Sequence, residues 1–178
     1  AAFAAVVKID AFAYMPAQDF GNAFATFTAQ NYGANKPERI QKGLRFACIT
    51  SILFCMLASF VVCVFAKELM LLFVKAQETE IISIGVTYLH VEGACYAGIG
   101  ILFLLYGLYR GLSRSMMSIV LTIISLGSRV LLAYTLSAIS WIGMHGIWYS
   151  VPIGWALADI TGIWYYQRKK KELLYQIK

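Results

Sequence analysis

Five polar residues in an otherwise apolar opening segment could do chemistry. Lys8, Asp19, Asn22, Thr26 and Gln30 are spaced 11, 3, 4 and 4 residues apart. At about 100° per residue, they fall within roughly 80° of one helix face. Met15 shares that face, and the rest of the segment is largely Ala, Phe, Val, Ile and Tyr. A helix that is apolar except for one wet stripe requires protein or a water-filled cavity on that side. Asp19 lies 12 residues before Asn31, about 18 Å along a helix and near the middle of a bilayer. A carboxylate at that depth must be protonated, paired or wet. It could take up a proton or cation in one conformation and release it in another, or pair with a basic residue and only specify packing. Pro16, three residues away, removes a backbone hydrogen bond and is expected to act as a hinge beside Asp19.

Glu92 and Arg129 form a second constellation. Both fall roughly 15–20 Å deep in consecutive antiparallel segments, counted by helix rise. A buried ion pair is expected, serving either to dock two helices or to gate a path. Ser118, Thr122, Ser125 and Arg129 repeat at spacings of 4, 3 and 4, and such hydroxyl stripes commonly mediate helix packing. Asp159, about nine residues before Arg168, is expected to snorkel or pair toward the cytoplasmic edge. Gly146, Ser150, Gly154, Ala158 and Gly162 form a small-residue ridge suited to close helix approach, as do Gly107 and Gly111.

The elements that must position these residues are membrane helices. The chain is 60% hydrophobic and 13% charged, against about a quarter charged in soluble domains. Mean hydropathy is +0.69. Spans are expected at about 1–31, 44–73, 79–109, 115–139 and 145–167, with a tail at 168–178. The fold class is thus all-α, a polytopic transmembrane bundle of about five spanning helices. The turn Gly33-Ala34-Asn35-Lys36-Pro37 separates the first two spans, with Gly33 expected as the helix cap. The polar segment from Lys75 to Glu80 and the connectors Gly111–Ser115 and Ser140–His145 separate the others. The chain opens on Ala1-Ala2-Phe3-Ala4, with no signal-peptide pattern, and reads as beginning inside a helix, as a fragment of something larger would.

Basic residues set the direction. Lys36, Arg39, Lys42 and Arg45, then Arg110 and Arg114, then Arg168, Lys169, Lys170, Lys171 and Lys178 all fall on one side. The positive-inside rule puts that side, and the C-terminal tail, in the cytoplasm. The net charge of +6 is therefore a matter of topology and implies no nucleic acid. Trp141, Trp148, Trp164, Tyr165 and Tyr166 lie near span ends, as interfacial aromatics do.

Several chemistries are excluded. The chain has no P-loop, H-E-x-x-H or GxSxG motif, so it is not expected to be an enzyme. His90 and His145 have no ligand-spaced partner, and Cys48, Cys55, Cys63 and Cys95 show no zinc spacing. The cysteines read as small hydrophobes. No metal or cofactor is expected, and without a nucleotide motif the energy would come from an ion gradient.

The run Gln30-Asn31-Tyr32-Gly33-Ala34-Asn35-Lys36-Pro37-Glu38-Arg39 resembles the Gln-Asn-x-Gly-Ala-x-x-x-x-Arg turn of multidrug and toxic compound extrusion (MATE) transporters. Ala4-Ala5, Met15-Pro16-Ala17 and Gly107-Leu108-Tyr109-Arg110-Gly111 resemble other parts of the same second lobe. The resemblance covers essentially the whole chain and implies helices eight to twelve of a twelve-helix protein, with the N-terminal lobe as the missing partner. It implies export of small organic cations or amphipathic compounds across the plasma membrane in exchange for H+ or Na+. The first helix would line the cavity between lobes, with Asp19, Asn22, Gln18, Thr26 and Gln30 on the pathway. Some members carry a coupling Asp about eleven residues before the Arg-Gly of the tenth helix. Here that position is Ile99, beside Gly98, which puts sodium coupling at that site in doubt. The alternatives are a lipid-linked oligosaccharide flippase of the same superfamily, which would want a more cationic cavity than Lys8 and Arg129 provide, and a non-transporting membrane scaffold.

Overall fold

The computed structural model describes residues 2–139 and 145–175. Among these, the chain forms α1 (Ala2–Gly33), α2 (Pro37–Val64), α3 (Ala66–Leu71), α4 (Thr79–Gly93), α5 (Tyr96–Gly111), α6 (Ser115–Ser137) and α7 (His145–Leu174), with no strand. They stack as five rods, because α2 continues into α3 and α4 continues into α5. The α4–α5 join bends by 52°. Trp141, the first part of the Ser140–His145 connector and Lys178 lie outside the described residues.

By length and apolarity alone, α2 and α6 can cross a membrane, and the bent α4–α5 pair makes a third. The 32-residue α1 and 30-residue α7 are long enough, but polar residues interrupt their apolar character. Phe46, Ile49, Leu53, Met56, Leu57 and Phe60 on α2 are exposed at helical spacing. Met116, Ile119, Ile123, Leu126 and Val130 on α6 repeat that pattern. Continuous apolar ridges of this size are what lipid covers.

Two helix ends use the same device. At the end of α1, Asn35 has a φ of 52°. The Lys36 N–H donates to the Asn31 carbonyl (2.9 Å), and the Asn35 N–H donates to that of Tyr32 (3.0 Å). This is a Schellman closure with Asn35, not Gly33, in the left-handed position. Asn tolerates that region, which leaves Gly33 inside α1, and Pro37 then opens α2. At the end of α5, Ser113 has a φ of 57°. Arg114 N–H bonds to the Tyr109 carbonyl (2.8 Å), and Ser113 N–H to that of Arg110 (3.1 Å). Serine has no special tolerance for this conformation, so Ser113→Gly is expected to stabilise the fold by about 1 kcal/mol. An unchanged or lowered unfolding midpoint would contradict this.

The core forms where small residues let backbones meet. A Cβ on Gly107 would collide with the Gly21 carbonyl oxygen. One on Gly111 would lie 2.7 Å from the Ala25 carbonyl oxygen, and one on Gly21 would lie 2.7 Å from that of Phe103. Helices α1 and α5 therefore touch backbone to backbone. The α7 ridge behaves likewise. Added Cβ atoms at Gly146 and Gly154 would meet the α6 backbone at Leu136 (2.8 Å) and Ser125 (2.7 Å), while one at Gly162 would meet Leu105 Cδ1 at 2.8 Å. The Tyr109 hydroxyl donates to the Gly162 carbonyl at 2.6 Å, tying α5 to α7. The four cysteines are free, and Cys55 is buried.

Beyond the bundle, Lys169 and Glu172 form a surface pair at 2.6 Å. The ammonium holds the Glu172 carboxyl below its ordinary range through that hydrogen bond. An exposed pair of this kind adds little to stability.

Candidate functional site

The strongest site is assembled around a residue outside the polar stripe. On α1, Val6, Asp10, Ala17, Phe24 and Thr28 share a face at helical spacing, and all are buried. Asp10 is 4% exposed and accepts a hydrogen bond from the Tyr96 hydroxyl at the start of α5. Glu92, near the end of α4, is 7% exposed and neighbours Asp10 and Tyr88. The α4–α5 break thus brings a carboxylate from one side and a tyrosine from the other onto one carboxylate of α1.

Asp10, Tyr88 and Glu92 line a cavity of about 370 Å³. Its walls include Phe3, Tyr14 and Tyr88, and Arg129 and Trp155 face it from α6 and α7. Phe3 packs edge-on to Tyr88 with ring centroids 6.1 Å apart, and Tyr88 packs edge-on to Trp148 at 5.9 Å. Trp148 is buried in this stack.

Glu92 and Arg129 share the cavity but do not form the expected ion pair. Among the described residues, Lys169–Glu172 is the one salt bridge. The Arg129 guanidinium instead lies over the Trp155 ring, 5.2 Å from its centroid. Stacking on the indole face has taken the guanidinium that sequence depth alone assigns to Glu92. Glu92 Oε2 and Arg129 Nε are both buried without a hydrogen-bond partner.

The polar stripe of α1 lies elsewhere. Gln18, Asp19, Asn22, Thr26 and Gln30 are all exposed. Gln18 and Asn22 line a second cavity of about 290 Å³ with Phe103, Tyr106, Arg110, Ser118 and Thr122. There the Asn22 Oδ1 accepts from Arg110 Nη2 at 2.8 Å. Lys8 is exposed, with its ammonium 5.9 Å from the Phe73 ring centroid. Pro16 sits within α1, which continues as one helix from Ala2 to Gly33.

Asp159 also departs from expectation. It is 7% exposed, and its Oδ1 has no hydrogen-bond partner. Its other oxygen packs against Gly98, 3.7 Å from where a Cβ would stand. Arg168, further along α7, lies over Trp164 at 5.4 Å. Among the described residues, no group of three or more His, Cys, Asp or Glu side chains could hold a metal ion.

An all-α bundle with exposed apolar ridges and buried carboxylates is a polytopic membrane protein. The MatE family model matches residues 1–135, and the chain belongs to that family. It is 27% identical over 167 residues to the probable multidrug resistance protein YpnP of Bacillus subtilis (strain 168), covering 93% of this chain and 36% of that protein. It is 26% identical over 176 residues to the probable multidrug resistance protein YoeA of the same strain, covering 97% of this chain and 38% of that one. The fold matches an outward-facing multidrug resistance MATE transporter of the MOP superfamily with a TM-score of 0.88 at 19% identity, covering 97% of this chain and 38% of that one. It also matches a Pyrococcus furiosus MOP superfamily transporter, described as having a binding pocket of reverse polarity, with a TM-score of 0.89 at 19% identity over 97% of this chain and 38% of that one. The chain thus spans well under half the length of the relatives it matches.

Proposed function

We propose that this chain forms part of a secondary antiporter that exports cationic or amphipathic compounds across the plasma membrane in exchange for protons or sodium ions. The observation that carries this reading is the pair of buried carboxylates, Asp10 and Glu92, on one aromatic-walled cavity. Ionisable groups inside a membrane bundle are costly and mark ion paths. Two adjacent carboxylates can hold one proton or one monovalent cation between them. A cationic substrate entering the cavity competes for the same oxygens, and that competition is antiport.

The exposed stripe of α1 fits the second part of the reading. Asp19, Thr26 and Gln30 lie on a face that no other described helix covers, as expected of a wall turned toward another lobe. With the tail in the cytoplasm, α1 runs from outside to inside, and the Asp10 cavity belongs to the outer half.

The test uses the intact protein that contains this chain, reconstituted in vesicles with a fluorescent organic cation. Dye movement is expected when a pH or sodium gradient is imposed and is expected to stop when the gradient is collapsed. Movement indifferent to both gradients would overturn antiport. Asp19→Asn is expected to raise KM for the dye while leaving the gradient requirement in place. Loss of that requirement would move the coupling role to Asp19.

A further inference from the structure

The first cavity holds an open donor and an open acceptor that do not meet. Glu92 Oε2 and Arg129 Nε are both buried without a partner, and Glu92 is 7% exposed. Such groups are costly to leave unmade. Asp10 differs, because the Tyr96 hydroxyl already serves it. Arg129 is held by the face of Trp155, not by a carboxylate. A purely cationic compound entering here would find the Trp155 face occupied and a like charge across the cavity from Glu92.

We propose that Arg129 sets the specificity of this cavity, and that it selects amphoteric compounds over simple cations. The favoured ligand carries a cationic group and an anionic acceptor on one flat apolar body. Its cation meets Glu92 Oε2. Its anionic oxygen accepts the Nε–H of Arg129, a charge-assisted hydrogen bond that a neutral group cannot match. Phe3, Tyr14 and Tyr88 pack on the flat body. The volume of about 370 Å³ lies within the range of small-molecule cavities. The guanidinium need not leave Trp155 to do this, because Nε is free while the ring stacks. This inference rests on the reading of the cavity as a ligand path.

The test compares two dyes that differ at one group. Rhodamine 110 carries a delocalised cation and a free carboxylate, and its methyl ester, rhodamine 123, keeps the cation and loses the anion. Binding to the purified intact protein is followed by fluorescence anisotropy. The free acid is expected to bind about tenfold more tightly than the ester, the worth of one hydrogen bond to a charged group. Arg129→Met is expected to abolish that preference, and Arg129→Lys, which keeps the charge, is expected to retain part of it. Equal affinities in the unaltered protein, or a preference that survives Arg129→Met, would overturn the assignment to Arg129. Failure to bind either dye would instead sink the ligand-path reading beneath it. A cooperative thermal unfolding transition in detergent shows that Arg129→Met is folded, and loss of ester binding by that folded variant would contradict a role confined to the anion.

Discussion

Asp10→Asn in the intact protein is expected to lower gradient-driven efflux of a cationic dye at least about tenfold, or about 1.4 kcal/mol in the rate-limiting step. The physical ground is that asparagine keeps the shape and a carbonyl oxygen to accept from the Tyr96 hydroxyl. The helix contact survives while the exchangeable charge is lost, so impaired efflux with an unaltered unfolding midpoint would isolate the charge. Glu92→Gln is expected to act in the same direction, because the two carboxylates are neighbours on one cavity. Tyr96→Phe, which removes only the donor, is expected to be milder. Full efflux by Asp10→Asn would remove this pair from the coupling step.

Gly107→Val is expected to cost about 2–4 kcal/mol of stability and to reduce the yield of folded protein. Its first added carbon would fall on the Gly21 carbonyl oxygen, and within 3.4 Å of the Ala25 backbone nitrogen. Those are backbone atoms, so no rotamer change relieves the clash, and α1 and α5 would have to separate. Separation would also move Asp10 away from Tyr96, so transport should fall along with stability. Gly127 provides the contrast, since nothing lies within 4 Å of a Cβ there. Gly127→Ala is expected to be neutral or to stabilise α6 by up to about 1 kcal/mol. Thermal unfolding in detergent distinguishes the two, and a Gly107→Val midpoint equal to that of Gly127→Ala would refute the backbone contact.

Much of the architecture was legible in residue order because it depends on local periodicity. The five rods follow apolar runs separated by Gly, Pro and charge. The α7 ridge at every fourth position does pack closely, because small side chains at that spacing make one continuous groove. Local reasoning erred where two residues compete for one role. Gly33 is the cap that residue type alone favours, yet the chain turns left-handed at Asn35, where the Lys36 and Asn35 N–H groups close back onto α1.

The site was less legible. Asp10 is about 160° from Lys8 around α1, so a search for a polar stripe passes over it. The available signal was a lone carboxylate on the same face as Val6, Ala17 and Phe24. Glu92 and Arg129 line one cavity, but a shared depth counted along two helices does not determine partners. Asp159 shows the same limit, buried against Gly98 with one carboxylate oxygen lacking a hydrogen-bond partner.

By itself, the amino-acid sequence determined the all-helical membrane class, the wet stripe of α1 and membership of the MatE family, because apolar periodicity and turn chemistry are local properties of the chain. Only the tertiary structure decided that the stripe lies exposed while Asp10 is buried, and that Arg129 lies over Trp155 and not against Glu92. Those outcomes depend on which helix faces meet, and that is set by the backbone contact of Gly21 with Gly107 and by the 52° bend between α4 and α5. Both join residues far apart in sequence or reorient a whole helix, so no local spacing encodes them.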